Sequence, residues 1–156
     1  MKSFPIENMK EFMNDLLVRE KYDSFYLFDA RLKTSLDYYV NGKIHYEFYD
    51  GADEEKPTTE YVVWKDIKHT IFDFMKGNKL PLCFKIVLMF NRENIERLIE
   101  MNNLPMESRE VGALFMNIIY EEGVLSVITG TSMKMFTMDK SLEQLWDDTV
   151  KKYYIT

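Results

Sequence analysis

A chain of 156 residues in which 46% are hydrophobic, with 11 Phe, 10 Tyr and 11 Met among them, can bury a full core and is too apolar to stay disordered. Its formal charge of −6, from 20 basic and 26 acidic residues, repels a phosphate backbone, and no run of Lys or Arg offers a local exception. The single cysteine, Cys83, excludes an intrachain disulfide and a cysteine zinc cage, and it suits a reducing, cytoplasmic setting.

The N-terminal Met1-Lys2-Ser3-Phe4-Pro5-Ile6-Glu7 lacks the apolar centre of a signal peptide. No segment approaches the roughly 18 apolar residues of a membrane span. Met9, Phe12, Met13, Leu16 and Leu17 then recur at helical spacing. Three strands are predicted next, near 25–33, 36–41 and 43–49, with Asn41-Gly42 as a tight hairpin turn. Residues 51–60 form an acidic, proline-containing loop, the segment expected to be most mobile. Trp64, Ile67, Ile71, Phe74 and Met75 make one apolar helical stripe, ended by Gly77.

Leu80 to Phe90 is the most apolar stretch, broken after Pro81 only by Lys85. It reads as a strand covered on both faces, with Leu82, Phe84, Ile86, Leu88 and Phe90 on one side and Cys83, Val87 and Met89 on the other. Ile95, Leu98 and Ile99 mark a further helix. Strands near 113–121, 124–129 and 131–137 follow, with turns at Glu121-Glu122-Gly123 and Thr129-Gly130-Thr131. A last helix carries Leu142, Leu145, Trp146, Val150 and Tyr153, with Asp139 or Ser141 as its N-cap.

The two halves echo each other. Glu7-Asn8 before the first helix matches Glu93-Asn94, residues 25–50 align without a gap with 113–138, and each half holds one Trp helix. The fold expected is therefore α+β: one domain, 1–156, of two pseudo-symmetric strand–helix–three-strand–helix halves, 1–79 and 80–156. An antiparallel sheet would carry the helices packed on it.

Leu80-Pro81-Leu82-Cys83-Phe84-Lys85-Ile86-Val87, Thr129-Gly130-Thr131-Ser132 and Leu142-Glu143-Gln144-Leu145-Trp146-Asp147 resemble a family of uncharacterised clostridia-type bacterial proteins, a domain of unknown function. The likeness covers essentially the whole chain and implies a bacterial cytoplasmic protein, with no catalytic residues to carry over. In topology alone, the doubled unit is similar to the halves of sliding DNA clamps and to the saddle of the TATA-box-binding protein, without their basic surface.

Chemistry is sparse. His45 and His69, the only histidines, fall on separate elements, so no His-based metal set forms. Asp50, Asp53, Glu54 and Glu55 match no calcium loop and read as a solvated acidic segment. Cys83 lies in the apolar strand, where a thiol acts as a small hydrophobe. Gly130-Thr131-Ser132 lacks the helix and lysine of a phosphate loop, and turn chemistry explains it. Trp64 and Trp146 read as core anchors. Tyr38, Tyr39, Tyr46 and Tyr49 read as hairpin packing before they read as a stacking platform. No catalytic residue, cofactor or metal is assigned.

One asymmetry bears on function. The first set of strands has a wet face of Asp29, Arg31, Lys33, His45 and Glu47, whereas the matching positions in the second are Asn117, Ile119, Glu121, Met133 and Met135. Phe115, Leu125 and Val127 extend that side. A face that symmetry makes wet has turned apolar, so something covers it: the chain's own helices or loop, a second copy, or another partner. The expected function is a non-catalytic binding or interaction protein acting through Phe115, Ile119, Val127, Met133 and Met135, by self-association or with a protein partner and not with a membrane. The alternatives are a clamp-like nucleic-acid-associated module and an enzyme using carboxylates gathered from Asp50, Glu54, Asp147 or Asp148.

Overall fold

A computed structural model describes residues 1–51 and 56–155. Along the chain run β1 (Ser3–Pro5), α1 (Met9–Leu17), β2 (Tyr26–Lys33), β3 (Asp37–Asn41), α2 (Trp64–Met75), β4 (Cys83–Met89), α3 (Arg92–Met101), β5 (Val111–Glu121), β6 (Val124–Met133) and α4 (Ser141–Thr149). The strands form one antiparallel sheet in the order β1-β6-β5-β4-β2-β3. The class is α+β, as the sequence leads one to expect.

The apolar stretch after Pro81 forms the inner strand β4, hydrogen-bonded to β2 on one side and β5 on the other. Its helix-facing residues Phe84, Ile86 and Leu88 are buried, and so are Val87 and Met89 on the opposite face. Coverage of both faces therefore holds at one end only. Lys85 is exposed, Cys83 is half-buried, and Leu80 and Leu82 lie exposed before the strand begins.

All four helices turn their apolar stripes to the same side. Phe12 and Leu16 of α1, Trp64 and Ile71 of α2, Ile95 and Ile99 of α3, and Leu142 and Trp146 of α4 share one core with Leu27, Ala30, Ile86, Leu114, Met116 and Val127 of the sheet. Asn8 caps α1 by accepting from Glu11 N–H at 3.1 Å, and Asn91 caps α3 by accepting from Asn94 N–H at 2.8 Å. At α4, Asp139 accepts from Ser141 N–H at 2.9 Å, and that bond lowers its carboxyl pKa. After Thr149 the helix widens into a π-helical turn, Val150–Tyr154. There the Tyr154 carbonyl accepts from the Tyr22 hydroxyl, inside a ring cluster with Phe25 and Phe90. Burial drives the Tyr22 phenol far above its ordinary pKa.

Two predicted turns are absent, for different reasons. Neither Asn41 nor Gly42 takes the positive φ of a hairpin turn. Instead Asn41 pairs with Asp29, and Gly42 continues past β2, its N–H donating to Phe28 O at 2.9 Å and its own carbonyl accepting from Val62 N–H at 2.8 Å. A Cβ on Gly42 would lie 1.8 Å from Leu27 O, so this glycine serves a close backbone approach. Gly130 sits inside an unbroken β6, opposite Phe115, with ordinary room around it. The predicted strands 124–129 and 131–137 are thus one strand that ends at Met133. Residues 43–49 hold a single bridge, Lys43 to Tyr61, and a 3-10 turn at Tyr46–Tyr49. The Glu122-Gly123 turn is as expected, with φ of 52° and 79°.

The order strand, helix, two strands, helix occurs twice, but the two halves do not take equivalent places in the sheet. β4 lies beside β5 within its own half, while β1 leaves β2 and pairs with β6 at the far edge. Trp64 opens α2, whereas Trp146 lies well inside α4.

Candidate functional site

With the helices on one side, the other side of the sheet lies open over much of its area. Strand alternation and the observed register give its residues directly. One row of cross-strand partners runs Tyr39, Arg31, Lys85, Ile119, Ser126, and the next runs Asn41, Asp29, Val87, Asn117, Ile128. A third contains Tyr26, Met89, Phe115 and Gly130. Ile119, Ile128 and Phe115 are half-buried there.

The third row is roofed by the chain itself. A bulge between Leu27 and Asp29 frees Phe28 from the ladder. Its ring meets Phe115 edge-on and also packs on Tyr61, both at 5.6 Å between centroids. The returning segment 58–63 is tied to β2 by Tyr26–Val63 bridging and by Leu27 N–H donating to Val62 O at 2.9 Å. Tyr26, residues 58–61 and Met89 line a cavity of about 260 Å³ together with Phe90, Arg92, Ile95, Gly112 and Ala113.

The five residues expected to form a common apolar face are therefore divided. Phe115 and Ile119 lie on the open side. Val127 does not: it pairs with Ile118, faces the helices and is fully buried, and Leu125 shares that fate. Met133 pairs with Val111 beyond the irregularity at Gly112 and packs against the core. Met135 has left the strand and lines an exposed surface hollow with Pro105, Met106 and Arg109. The cause is register. Ile119 faces Ser126 and Phe115 faces Gly130, so the even-numbered residues of β6 are the ones on the open side. Ile128 also lies on the open side, and its signal in the sequence is the alternation with Ser126 and Gly130.

The uncovered end of the face is a groove of about 570 Å³, lined among others by Arg31, Lys33, Asp37, Tyr39, Cys83, Lys85, Ile119 and Glu121. Arg31 and Lys85 stand directly opposite each other. Arg31 lies over the Tyr39 ring at 4.6 Å from the centroid. These cations are scattered over two strands in sequence, so only the β2–β4 register reveals the cluster.

The remaining candidates do not assemble. His45 is exposed beside Glu47 at 3.4 Å, His69 is exposed on α2, and no potential metal-binding group of His, Cys, Asp and Glu forms among the described residues. Asp53, Glu54 and Glu55 lie outside the described residues. Asp147 is buried and accepts a hydrogen bond from Thr129, while the neighbouring Asp148 is exposed. Tyr38 stacks on Phe74 at 4.4 Å on the helix side, and Tyr46 donates to Thr59 O at 2.5 Å, so the four tyrosines share no platform. No described helix is long and apolar enough to cross a membrane.

Neither a curated protein nor a solved structure matches this chain. The family described as Family of unknown function (DUF5721) matches residues 15–156. That match runs from within α1 to the final residue, so the chain belongs to the family of unknown function DUF5721.

Proposed function

We propose that this is a non-catalytic bacterial cytoplasmic protein that works by binding, with the open side of the sheet as its recognition surface. The observation that carries the reading is the one-sided placement of the helices: they bury most of one face and leave Ile119 and Ile128 half-exposed in the middle of the other. Antiparallel sheets tolerate one wet face, but a wet face is normally polar. Ile119 and Ile128, flanking Asn117 and Ser126, mix apolar anchors with hydrogen-bonding groups in the manner of a protein interface. A second copy is the occupant this face fits, since twofold pairing lets one such patch meet itself. The single thiol, left free on this face, suits a reducing compartment.

Native mass spectrometry of the purified chain checks this. The wild type is expected as a dimer, and the variant Ile119→Asp with Ile128→Asp as a folded monomer. A wild-type protein that stays monomeric at every concentration, or a variant that dimerises equally well, contradicts it.

A further inference from the structure

We infer that the groove between β3, β2, β4 and β5 binds a small molecule carrying one anionic group on a flat apolar body, the anion seated between Arg31 and Lys85. Like charges directly opposite on neighbouring strands destabilise a sheet. Several other cations of this acidic protein stand in ion pairs, among them Arg19 with Glu11 and Asp15, Lys68 with Asp23, Lys76 with Asp73, Arg109 with Glu107 and Lys140 with Glu143. Arg31 and Lys85 are opposed across the ladder, and among the described residues neither meets a carboxylate. Arg31 is held over Tyr39 instead.

The surroundings set the ligand's charge and shape. Lys33 is the third cation of the groove, and its cross-strand partners are Asp37 and Cys83. Asp37 and Glu121 together leave an excess of one positive charge, which suits a carboxylate or sulfonate better than a phosphate dianion. The same row continues past the two cations to Tyr39 on one side and Ile119 on the other, so a ring beside the anion would meet an apolar side chain at either end. About 570 Å³ is within the range of small-molecule sites. The site shares Ile119 with the dimer surface proposed above but rests on charges which that surface does not use.

The probe is 8-anilino-1-naphthalenesulfonate, a monoanion on a flat apolar body, titrated by fluorescence at low salt against the full chain. Its uncharged counterpart, N-phenyl-1-naphthylamine, serves as the control. One saturable site per chain is expected for the sulfonate, with affinity falling at least about tenfold in Arg31→Ala with Lys85→Ala, and weak binding of the neutral dye. Thermal melting of that variant should not fall below wild type, since both side chains are exposed and the opposed like charges are removed. Equal affinity in wild type and variant, equal binding of both dyes, or unsaturable binding overturns the proposal. If Ile119→Asp abolishes dimerisation while Arg31→Ala with Lys85→Ala leaves dye binding untouched, the dimer reading survives and the anion site falls.

Discussion

Trp146→Ala is expected to lower the unfolding free energy by about 3–5 kcal/mol, much of the roughly 5–15 kcal/mol that holds a domain folded. The indole is fully buried and lies 4.8 Å from the Phe90 ring, so its removal leaves a cavity in the middle of the core. Its Nε1–H donates to Phe115 O at 2.9 Å, which fastens α4 to β5. Trp146→Phe separates the two contributions. It keeps part of the ring packing and loses the hydrogen bond together with the remainder of the indole, at a cost of about 1–3 kcal/mol. Urea titrations followed by circular dichroism measure both. A Trp146→Ala loss under about 1 kcal/mol would mean that the indole is not the anchor the packing makes it.

The second large effect comes from Asp23. Lys68 is 3% exposed on α2, and its ammonium meets the Asp23 carboxylate at 2.6 Å and Arg19 O at 3.0 Å. Removing the carboxylate strands a charge in the interior, so Asp23→Ala should cost about 3–5 kcal/mol. Lys68→Met removes the charge and leaves an apolar stem of similar length, while Asp23 retains some solvent contact. It should cost far less, and adding it to Asp23→Ala should recover most of the loss. Chemical denaturation of the three variants decides the matter. Equal losses for Asp23→Ala and Lys68→Met would show that the pair matters as a bond and not as mutual neutralisation.

Much of the architecture is legible in the residues. The apolar run ending at Phe90 reads as an inner strand, which β4 is from Cys83 to Met89, and the stripes on α1 to α4 face the core. Glu122-Gly123 turns because both residues take positive φ. What misleads is glycine. Asn41-Gly42 has the composition of a hairpin turn, yet the missing side chain lets the chain pass against Leu27 O, a contact between residues distant in sequence. Gly130 looks like a second turn because it aligns with Gly42, yet it lies within β6. Val127 aligns with Tyr39, but Lys33 pairs with Asp37 across three residues and Glu121 with Val124 across two, so the faces of β6 shift by one and Ile128, not Val127, lies on the open side.

The repeat along the chain is equally deceptive. Local pattern repeats the order of elements but says nothing of which edge β1 joins, and β1 joins β6. The Phe28 bulge, which roofs Phe115 and closes one end of the face, leaves no local mark in sequence either. The Arg31–Lys85 juxtaposition needs the same long-range register, so the groove becomes visible only in three dimensions.

Neighbouring residues on β6 give the most direct test of the two-sided sheet. In a Cys83→Ser background, Ile128→Cys and Val127→Cys are labelled with a maleimide in dilute solution, where any dimer dissociates. Rapid labelling of Ile128→Cys in the native state, with Val127→Cys reacting only on unfolding, is the expected result. Protection of Ile128→Cys equal to that of Val127→Cys would contradict it, because the face would then be covered by the chain itself.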